Sequence, residues 1–543
     1  MHIKLNNISC AYPNKDKIFT NLNFSVSDKK AGLVGNNGTG KSTLLHLIAG
    51  KIIPDEGNIL LKGKIVLHPQ DFSQYNNMTV AEVLSVKDKL NSLEKILQGN
   101  ANEQDYEILN EEWDLLERIE KMFSEAKFEN IALERNFSTL SGGEKSRLLF
   151  ASLLLNKPDF ALLDEPTNHL DSESRNILYT LIKNYKRGLL IVSHDRELLN
   201  LMDEIYELSS KGIKVYGGNY DFYEEQKQIE NEAAQNNYDA LNQQYSKSIK
   251  EKSIALQQQA KRSATGKKKL ESGSIPRIAK KKLQDTSMKT ISRLKNSHSQ
   301  KIDQIKNKLT EAKEELENSN NIIIDVNAAR VHSKKMILDV NGVNYKFPDS
   351  ENNLWKEEIG FSLFGNERWS ISGVNGSGKT ILLKLIMNEL IPSTGEIKLF
   401  DGKAAFLDQN VHIFNEELSI LENLKIHSDN KIPEHELRIK LGRFLFYGED
   451  AFKKVKDLSG GEKMRAGLAC ILSSGKNPEL LILDEPSNSL DLKSLKELSS
   501  ALNKYTGALI VVSHDRRFLS EINIEKELQI SAGESHKISV YKS

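Results

Sequence analysis

The chain has 543 residues, too many for one hydrophobic core, and this length predicts about three domains. Lys and Arg together number 75, as do Asp and Glu, and 38% of the residues are hydrophobic, which is typical of a soluble globular protein. The apolar runs have only strand length, which excludes a membrane span, and the N-terminal segment is not apolar, which excludes a signal peptide. The chain has just two cysteines, Cys10 and Cys470, which excludes a disulfide framework and a four-cysteine metal site. These features predict a reducing cytoplasmic setting.

The first motif along the chain is "GNNGTGKS" at 35–42, with the apolar run "AGLVG" before it and the helix pattern "TLLHLIAG" after it. This strand–loop–helix context is what a phosphate-binding loop requires. The glycines let backbone N–H groups surround phosphates, Lys41 neutralises the β and γ oxygens, and Ser42 is suited to Mg²⁺. A plain glycine-rich turn is the weaker interpretation, because the full motif stands in the required context.

Three further motifs follow in the first half. The segment "LSGGE" at 140–144 opens an apolar helix pattern, so it either caps a helix or offers a helix N-terminus to a phosphate held elsewhere. The run "FALLDE" predicts a buried parallel strand whose ligand-binding end carries Asp164, suited to Mg²⁺ through water, and Glu165, suited to activating water. Capping of the next turn is the alternative for this acid pair. His194 ends another apolar run, and a lone histidine there would more often be structural.

The middle of the chain has a concentrated positive charge. Residues 261–295 contain twelve Lys or Arg and two acidic residues, a net charge of +10 in a chain whose formal net charge is zero. Apolar stripes at helical spacing flank this stretch at 238–256 and 291–316, and glycines and a proline lie between them. We therefore predict an antiparallel helical hairpin with a basic tip. The tip either keeps a linker solvated or contacts phosphate backbones, and the lack of aromatic residues in it favours structured RNA over single-strand reading.

The four motifs of the first half return in the same order in the second. The second copies read "GVNGSGKT", "LSGGE", "LLILDE" and "LIVVSHD", and the spacing agrees: Glu165 to His194 and Glu485 to His514 are both 29 residues. We predict an α/β fold of two homologous P-loop domains, the first repeat (1–223) and the second repeat (334–543), joined by a linker (224–333). Two histidines at one offset from a predicted base indicate sensors of the γ-phosphate.

Together these motifs resemble the nucleotide-binding domain of ATP-binding cassette (ABC) proteins, in which "LSGGE" is the signature sequence. The resemblance covers both repeats, about four fifths of the chain. It implies that the repeats close head to tail on two ATP molecules, each held between the phosphate loop of one repeat and the signature of the other. The first composite site would comprise Gly35, Asn36, Asn37, Gly38, Thr39, Gly40, Lys41, Ser42, Thr43, Gln70, Asp164, Glu165 and His194 with Ser459, Gly460, Gly461 and Glu462.

The second composite site would comprise Gly373, Val374, Asn375, Gly376, Ser377, Gly378, Lys379, Thr380, Gln409, Asp484, Glu485 and His514 with Ser141, Gly142, Gly143 and Glu144. By the same resemblance, Glu165 and Glu485 are the catalytic bases, assisted by the two histidines. Mg²⁺ is expected on Ser42, Gln70 and Asp164 in one site, and on Thr380, Gln409 and Asp484 in the other. Adenine is expected to stack on Tyr12 in "AYP" and on Phe347 in "KFP", with Tyr345 as a competitor.

Most cassette proteins are transporters, but two cassettes on one chain, a charged helical linker and no membrane span resemble the ABC-F family, as does the segment "YGGNYDFYEEQKQ" at 216–228. Members bind the ribosomal exit site (E site) with ATP closed between the cassettes, and their linker reaches P-site tRNA and the peptidyl transferase centre. The resemblance implies a monomeric cytoplasmic ATPase whose partners are large-subunit rRNA and P-site tRNA. Its role would be protection of the ribosome from antibiotics, or general translation; a transporter subunit and a DNA-structure-binding ATPase are the other interpretations.

Three features depart from the family pattern. The second repeat has "EPSNSLD" for "EPTNHLD", with Ser487 and Ser489 at the varied positions, and little loss is expected because both acids remain. Gln70 to Leu140 spans 70 residues against 49 for Gln409 to Leu458, which predicts too few residues for the long arm of some housekeeping members. The chain ends 29 residues after His514, without a C-terminal coiled coil. The long linker, together with the short insertion and the missing C-terminal coiled coil, favours a ribosome-protection member.

Overall fold

A computed structural model describes residues 2–11, 17–128, 131–168, 170–271, 296–313, 332–348, 350–400, 404–409, 411–475, 478–488, 490–531 and 536–540. They form two compact units. One unit contains both repeats (Met1–Asp221 with Ile322–Ser543), and the other contains the linker (Phe222–Asn321). Within the described ranges, no helix has the length and apolar character needed to span a bilayer.

The first repeat has a six-stranded sheet in the order β5-β6-β7-β3-β8-β9, parallel except for β9, and a three-stranded antiparallel sheet in the order β2-β1-β4. The strands are β1 (Ile3–Ala11), β2 (Lys17–Val26), β3 (Lys30–Val34), β4 (Glu56–Leu60), β5 (Ile65–His68), β6 (Phe160–Asp164), β7 (Gly188–Val192), β8 (Glu204–Ser209) and β9 (Gly212–Tyr216). The helices are α1 (Lys41–Ile48), α2 (Val80–Val83), α3 (Lys87–Leu97), α4 (Glu103–Leu109), α5 (Leu115–Glu125), α6 (Gly142–Asn156), α7 (Ser172–Asn184) and α8 (Arg196–Leu199).

The linker begins with one long helix, α9 (Tyr220–Glu271), and residues 296–313 form helix α10. At 1.5 Å per residue, the 52 residues of α9 extend about 78 Å. Lys252 Nζ donates to Ser299 Oγ at 2.9 Å, and Lys301 Nζ lies 4.0 Å from Glu251 Oε2, so the two helices run antiparallel. The predicted hairpin is therefore confirmed where it is described.

The start of the basic stretch differs from the sequence expectation. The prediction places Gly266, one of the glycines between the two apolar stripes, at a break in the helix, yet α9 continues through it to Glu271. One glycine costs a helix only about 1 kcal/mol, and the lysines at 267–269 favour helix. Residues 261–271 are therefore helical, and the rest of the predicted tip, 272–295, lies outside the described residues.

The second repeat has the same two sheets, in the orders β14-β15-β16-β12-β17-β18 and β11-β10-β13. Its strands are β10 (Met336–Asn344), β11 (Ile359–Phe364), β12 (Arg368–Ser372), β13 (Thr394–Leu399), β14 (Ala404–Leu407), β15 (Leu480–Asp484), β16 (Ala508–Val512), β17 (Lys526–Gln529) and β18 (Lys537–Val540). Its helices are α11 (Lys379–Ile386), α12 (Ile420–His427), α13 (Glu434–Arg443), α14 (Gly460–Ser473), α15 (Leu492–Lys504) and α16 (Arg516–Glu521). The predicted class, two α/β P-loop domains with a helical-hairpin linker, is confirmed.

The central strands of each sheet are apolar runs buried on both faces, and each of the five residues of β6, β7, β15 and β16 is buried. Helices on both sides of a parallel sheet require such runs. In the first repeat, β6 and β7 pair in a register that sets Asp164 beside Val192, and β7 pairs with β3. The loops after these three strands therefore meet at one sheet edge, and those loops carry the phosphate loop, the acid pair and the histidine.

The extra residues of the first repeat form α3 and α4, helices of 11 and 7 residues. Asp105 of α4 joins them, because its carboxylate accepts from Ser92 Oγ at 3.3 Å and lies 3.1 Å from Lys95 Nζ. The insertion is thus a short helical pair.

Candidate functional site

Each phosphate loop closes on its own lysine. Lys41 Nζ donates to the carbonyl oxygens of Gly35 (2.8 Å) and Asn36 (3.0 Å), and Lys379 Nζ donates to those of Gly373 (2.8 Å) and Val374 (3.2 Å). Both lysines are buried, so their ammonium groups lie over the loop rather than in solvent. Each loop therefore places the positive charge of its lysine in the same concavity as the backbone N–H groups that can bind phosphate.

The glycine before each lysine is fixed by conformation and by space. Gly40 and Gly378 both have φ of 93°, in the left-handed region. A Cβ at Gly378 would lie 2.9 Å from Nε1 of Trp355, and that nitrogen donates to Ser377 O at 2.8 Å. The buried indole of Trp355 thus packs against the second phosphate loop and hydrogen-bonds to it. Ile18 and Phe19 occupy the corresponding place under Gly40.

The two predicted bases share an unusual backbone. Glu165 and Glu485 each have φ of 47°, a region that non-glycine residues seldom adopt. Their N–H groups donate across the sheet edge to Val192 O at 2.8 Å and Val512 O at 2.9 Å. Backbone strain of this kind is concentrated at functional sites.

Each glutamate faces the histidine of its own repeat. His194 Nε2 lies 3.3 Å from Glu165 Oε1, and the His514–Glu485 pair has the same separation. Burial raises the pKa of Glu165, and it raises the pKa of Glu485 to about 7. Burial also lowers the pKa of His514 to about 4 and depresses the pKa of His194, so both rings are neutral near pH 7. They therefore act as hydrogen-bonding groups and not as cations.

The residues expected to hold Mg²⁺ fit a hard cation. Thr380 Oγ1 donates to Asp484 Oδ2 at 3.0 Å. Burial raises the pKa of both Asp164 and Asp484, and hydrogen bonds from Ser42 and Thr380 oppose this shift. Asp164 Oδ1 is buried and has no hydrogen-bond partner among the described residues, as expected of an oxygen that faces a ligand.

The first composite site is assembled as a cavity of about 410 Å³ between the repeats. Its wall combines loop, acid and histidine residues of the first repeat with the start of the second signature: Asn37, Gly38, Gly40, Lys41, Ser42, Thr43, Gln70, Asp164, Glu165 and His194 with Ser459 and Gly460. The predicted head-to-tail pairing thus brings these residues together.

Both signatures also cap helices. Ser141 Oγ accepts from Glu144 N at 3.3 Å while Glu144 Oε2 accepts from Ser141 N at 2.8 Å, and Ser459 with Glu462 repeats this box. The capping interpretation is therefore confirmed, and phosphate binding by the signatures stays a prediction. In each repeat, the glycine at the fourth position of the signature packs against the next helix: a Cβ at Gly143 would lie 2.7 Å from Ser174 Oγ, and one at Gly461 would lie 2.8 Å from Ser494 Oγ.

Sequence reasoning missed the residues that bind each phosphate loop from the opposite repeat. Asp491 Oδ2 accepts from Asn37 N at 2.9 Å, and Asp171 Oδ2 accepts from Asn375 N at 3.2 Å. Both aspartates also cap the helices α15 and α7 through their other oxygen. The available signal was an Asp at the same place after the acid pair in both repeats. The second composite site is connected by the Asp171 contact and by Ser172 Oγ, 3.0 Å from His514 Nδ1.

The remaining predicted residues are less enclosed. Phe347 is 44% exposed and makes an edge contact with Tyr345, with ring centroids 5.3 Å apart. Gln409 follows β14 and is exposed. Ser487 Oγ pairs with Ser513 Oγ at 2.9 Å. Tyr12 and Ser489 lie outside the described residues.

Comparison with known proteins gives consistent matches. The model of the ABC transporter family matches residues 19–168 and 357–488. The energy-dependent translational throttle protein EttA of Escherichia coli is 31% identical over 538 residues, covering 94% of this chain and 89% of that protein. ABC transporter F family member 5 of Arabidopsis thaliana is 29% identical, covering 98% and 75%. Among solved structures, the archaeal ribosome recycling factor aABCE1 in complex with the stalk protein aP1 superposes with a TM-score of 0.58 at 19% identity, covering 98% and 89%, which supports the fold.

The buried carboxyl of Glu485 has a cost for stability that can be measured. Its pKa rises from 4.5 to about 7 on folding, so the unfolded chain releases this proton more readily and stability falls as the pH rises from about 4.5 to about 7. We expect Glu485→Gln to raise the thermal midpoint of the nucleotide-free protein by about 2–4 °C at pH 8, with a smaller gain at pH 5.5. Scanning calorimetry at both pH values measures this. The control Glu389→Gln removes an exposed carboxyl; an equal gain from it, or no gain from Glu485→Gln, contradicts the burial argument.

Proposed function

Since the chain belongs to the ABC-F family of tandem ATP-binding cassette ATPases and hydrolyses ATP, we propose that it binds the ribosome and acts on translation when its two repeats close on ATP. The observation that carries this proposal is the match to the translational throttle protein, which extends over 94% of the chain and so includes the linker. We assign the domains as 1–223, 224–333 and 334–543. Ribosome binding would place the protein in the cytoplasm.

The chemistry that we assign to the two sites follows from their geometry. Glu165 and Glu485 orient the attacking water and accept its proton, and their raised pKa brings their basicity toward neutral pH. Lys41 and Lys379 exchange their hydrogen bonds to the loop carbonyl oxygens for hydrogen bonds to the β and γ phosphates. The neutral histidines donate through Nε2 toward the γ-phosphate.

Mg²⁺ would bind to Ser42, Gln70 and Asp164 in the first site and to Thr380, Gln409 and Asp484 in the second. When bound, it neutralises charge on the phosphate oxygens. The protein's own contribution is to hold these oxygen donors in place at the sheet edge, with Asp164 Oδ1 buried and unpaired among the described residues. The two signatures would complete the sites from the opposite repeat.

The linker supports a nucleic-acid partner. Its basic stretch carries a net charge of +10, and the described part of this stretch, 261–271, forms the last residues of a helix about 78 Å long. Charge at this density binds phosphate backbones, and the absence of aromatic residues favours recognition of RNA shape. We propose that the protein occupies the E site and that this stretch contacts P-site tRNA and rRNA near the peptidyl transferase centre.

Two roles are consistent with this position. The short α3–α4 insertion and the long linker favour protection of the ribosome from large-subunit antibiotics. The match to a translational throttle protein favours a general translation factor. The two roles differ in whether growth under drug depends on the chain.

Expression in a drug-susceptible host separates them. If the chain protects ribosomes, we expect the inhibitory concentration of at least one class of large-subunit antibiotic to rise about fourfold or more, an effect equivalent to roughly 1 kcal/mol of competition for the drug site. A Glu165→Gln, Glu485→Gln double variant serves as the inactive control. Equal inhibitory concentrations across the panel would support the general factor.

The double variant also tests the assigned bases and the partner. We expect it to bind ATP normally and to hydrolyse it about 10²-fold more slowly or worse, since a general base is lost at both sites. The closed state should then accumulate on ribosomes, and affinity purification should recover rRNA and large-subunit proteins. Wild-type turnover in this variant would rule out the assignment.

Recovery of an integral membrane protein without ribosomes would indicate a transporter subunit, and stimulation of wild-type ATPase activity by branched DNA alone would indicate a DNA-binding role.

The basic stretch can be tested with matched charge changes in one linker. The test variant replaces Lys267, Lys268 and Lys269 by Gln; the control replaces the exposed Lys247, Lys250 and Lys306 by Gln. If the first three contact phosphate, the log–log salt slope of ribosome binding falls by about two units or more, near 0.7–0.9 per contact. Binding measured by sedimentation between low and moderate KCl gives the slope. A slope equal to that of the control would return the stretch to the role of a solvated linker.

A further inference from the structure

The two ATP sites differ in what the opposite repeat supplies to them. Helices α7 and α15 begin at equivalent positions, after Asp171 and Asp491, and both aspartates contact the opposite phosphate loop. The residues that follow are different. The first repeat reads "DSESR" and the second reads "DLKSL", so Ser172 is replaced by Leu492 and Arg175 by Leu495.

Ser172 reaches the histidine of the second site. Its Oγ lies 3.0 Å from His514 Nδ1, and His514 Nε2 lies 3.3 Å from Glu485 Oε1. If the proton were on Nδ1, a lone pair on Nε2 would face the carboxylate. The favourable arrangement has the Ser172 hydroxyl donating to Nδ1 and the proton on Nε2. His514 Nε2 is buried and has no hydrogen-bond partner among the described residues, so its proton is left for the γ-phosphate of a bound ATP.

The histidine of the first site has no such support. His194 Nε2 is at the same 3.3 Å from Glu165 Oε1, but His194 Nδ1 is buried without a hydrogen-bond partner among the described residues. Leu492, the counterpart of Ser172, has no donor or acceptor in its side chain. Among the described residues of the first site, none hydrogen-bonds to Nδ1 and so selects the tautomer that carries its proton on Nε2.

Arg175 adds a second difference between the sites. Its Nε donates to Leu170 O at 3.1 Å, and its NH1 lies 3.7 Å from Asp195 Oδ2, so the side chain is anchored within the first repeat. Its charge opposes the burial that raises the pKa of Glu485, and it favours the neutral form of His514. Leu495 supplies no charge at the corresponding place.

We propose that Ser172 is a positioning residue of the second ATP site, where it fixes the tautomer of His514 across the interface, and that the second site therefore hydrolyses ATP faster than the first. This inference rests on the roles assigned above to Glu485 and His514. The two sites are then unequal because the opposite repeats differ at the first residue of an equivalent helix, Ser172 in α7 and Leu492 in α15, and Arg175 adds to this difference.

The test measures each site with the other silenced. Glu165→Gln leaves turnover to the second site, and Glu485→Gln leaves it to the first. We expect the Glu165→Gln protein to have the higher kcat. In that background, Ser172→Ala should lower kcat about fivefold, the factor that corresponds to one hydrogen bond, with KM for ATP within about twofold. Ser172→Thr keeps the hydroxyl and should restore kcat. A purely structural role would change Ala and Thr variants alike and would lower the thermal midpoint.

Two results would overturn the inference: an unchanged kcat in Ser172→Ala, or a Thr variant as slow as the Ala variant. A higher kcat for Glu485→Gln than for Glu165→Gln would overturn the ranking of the sites. The double glutamate variant separates this failure from failure of the assigned roles. If the double variant is inactive while Ser172→Ala matches its parent, only the role of Ser172 is wrong; if the double variant turns over normally, the assignment of the bases is wrong as well.

Discussion

Two aspartate carboxylates, one from each repeat, hold the phosphate loop of the opposite repeat. Asp491 accepts from Asn37 N and Asp171 accepts from Asn375 N, and in each case the other oxygen caps a helix of its own repeat. The same helices pack closely on the signatures through Gly143 and Gly461. The position of a signature relative to the opposite loop is therefore fixed by one short, rigid chain of contacts. These contacts join the residues of the two repeats that line one cavity.

The acidic residues at the sheet edge are a second constraint, because their burial lowers the stability of the fold. Burying an acid pair at the end of a strand costs free energy, as the raised pKa values of Asp164 and Asp484 indicate. The left-handed backbone of Glu165 and Glu485 adds strain. The apolar strands of the sheet, buried on both faces, offset this cost. The residues of the site thus lower the stability of the fold locally, and burial of the apolar core compensates for this.

Much of this arrangement could be predicted from the sequence, because motifs that follow neighbouring parallel strands lie at the same edge of the sheet. The phosphate loops, the acid pairs and the histidines fall at one edge as expected. The aspartates that join the repeats could not be assigned, since an Asp at a helix start is explained by capping alone. The helix through Gly266 was also not predicted, because one glycine among lysines leaves helix and turn close in energy. The contact of Ser172 with His514 depends on a partner 342 residues away, and no local pattern encodes it.

The duplicated fold has a consequence for how such a molecule can diverge. A homodimer of one cassette is symmetric, so every substitution at its interface occurs twice and both ATP sites change together. Joining two copies on one chain removes that constraint. Here the interface already differs on its two sides: buried Arg196 pairs with Asp515 and Glu521 of the other copy, whereas its counterpart, Arg516, is exposed. Covalent linkage thus lets one half specialise in holding the assembly together while the other varies, an option that is closed to a dimer of identical chains.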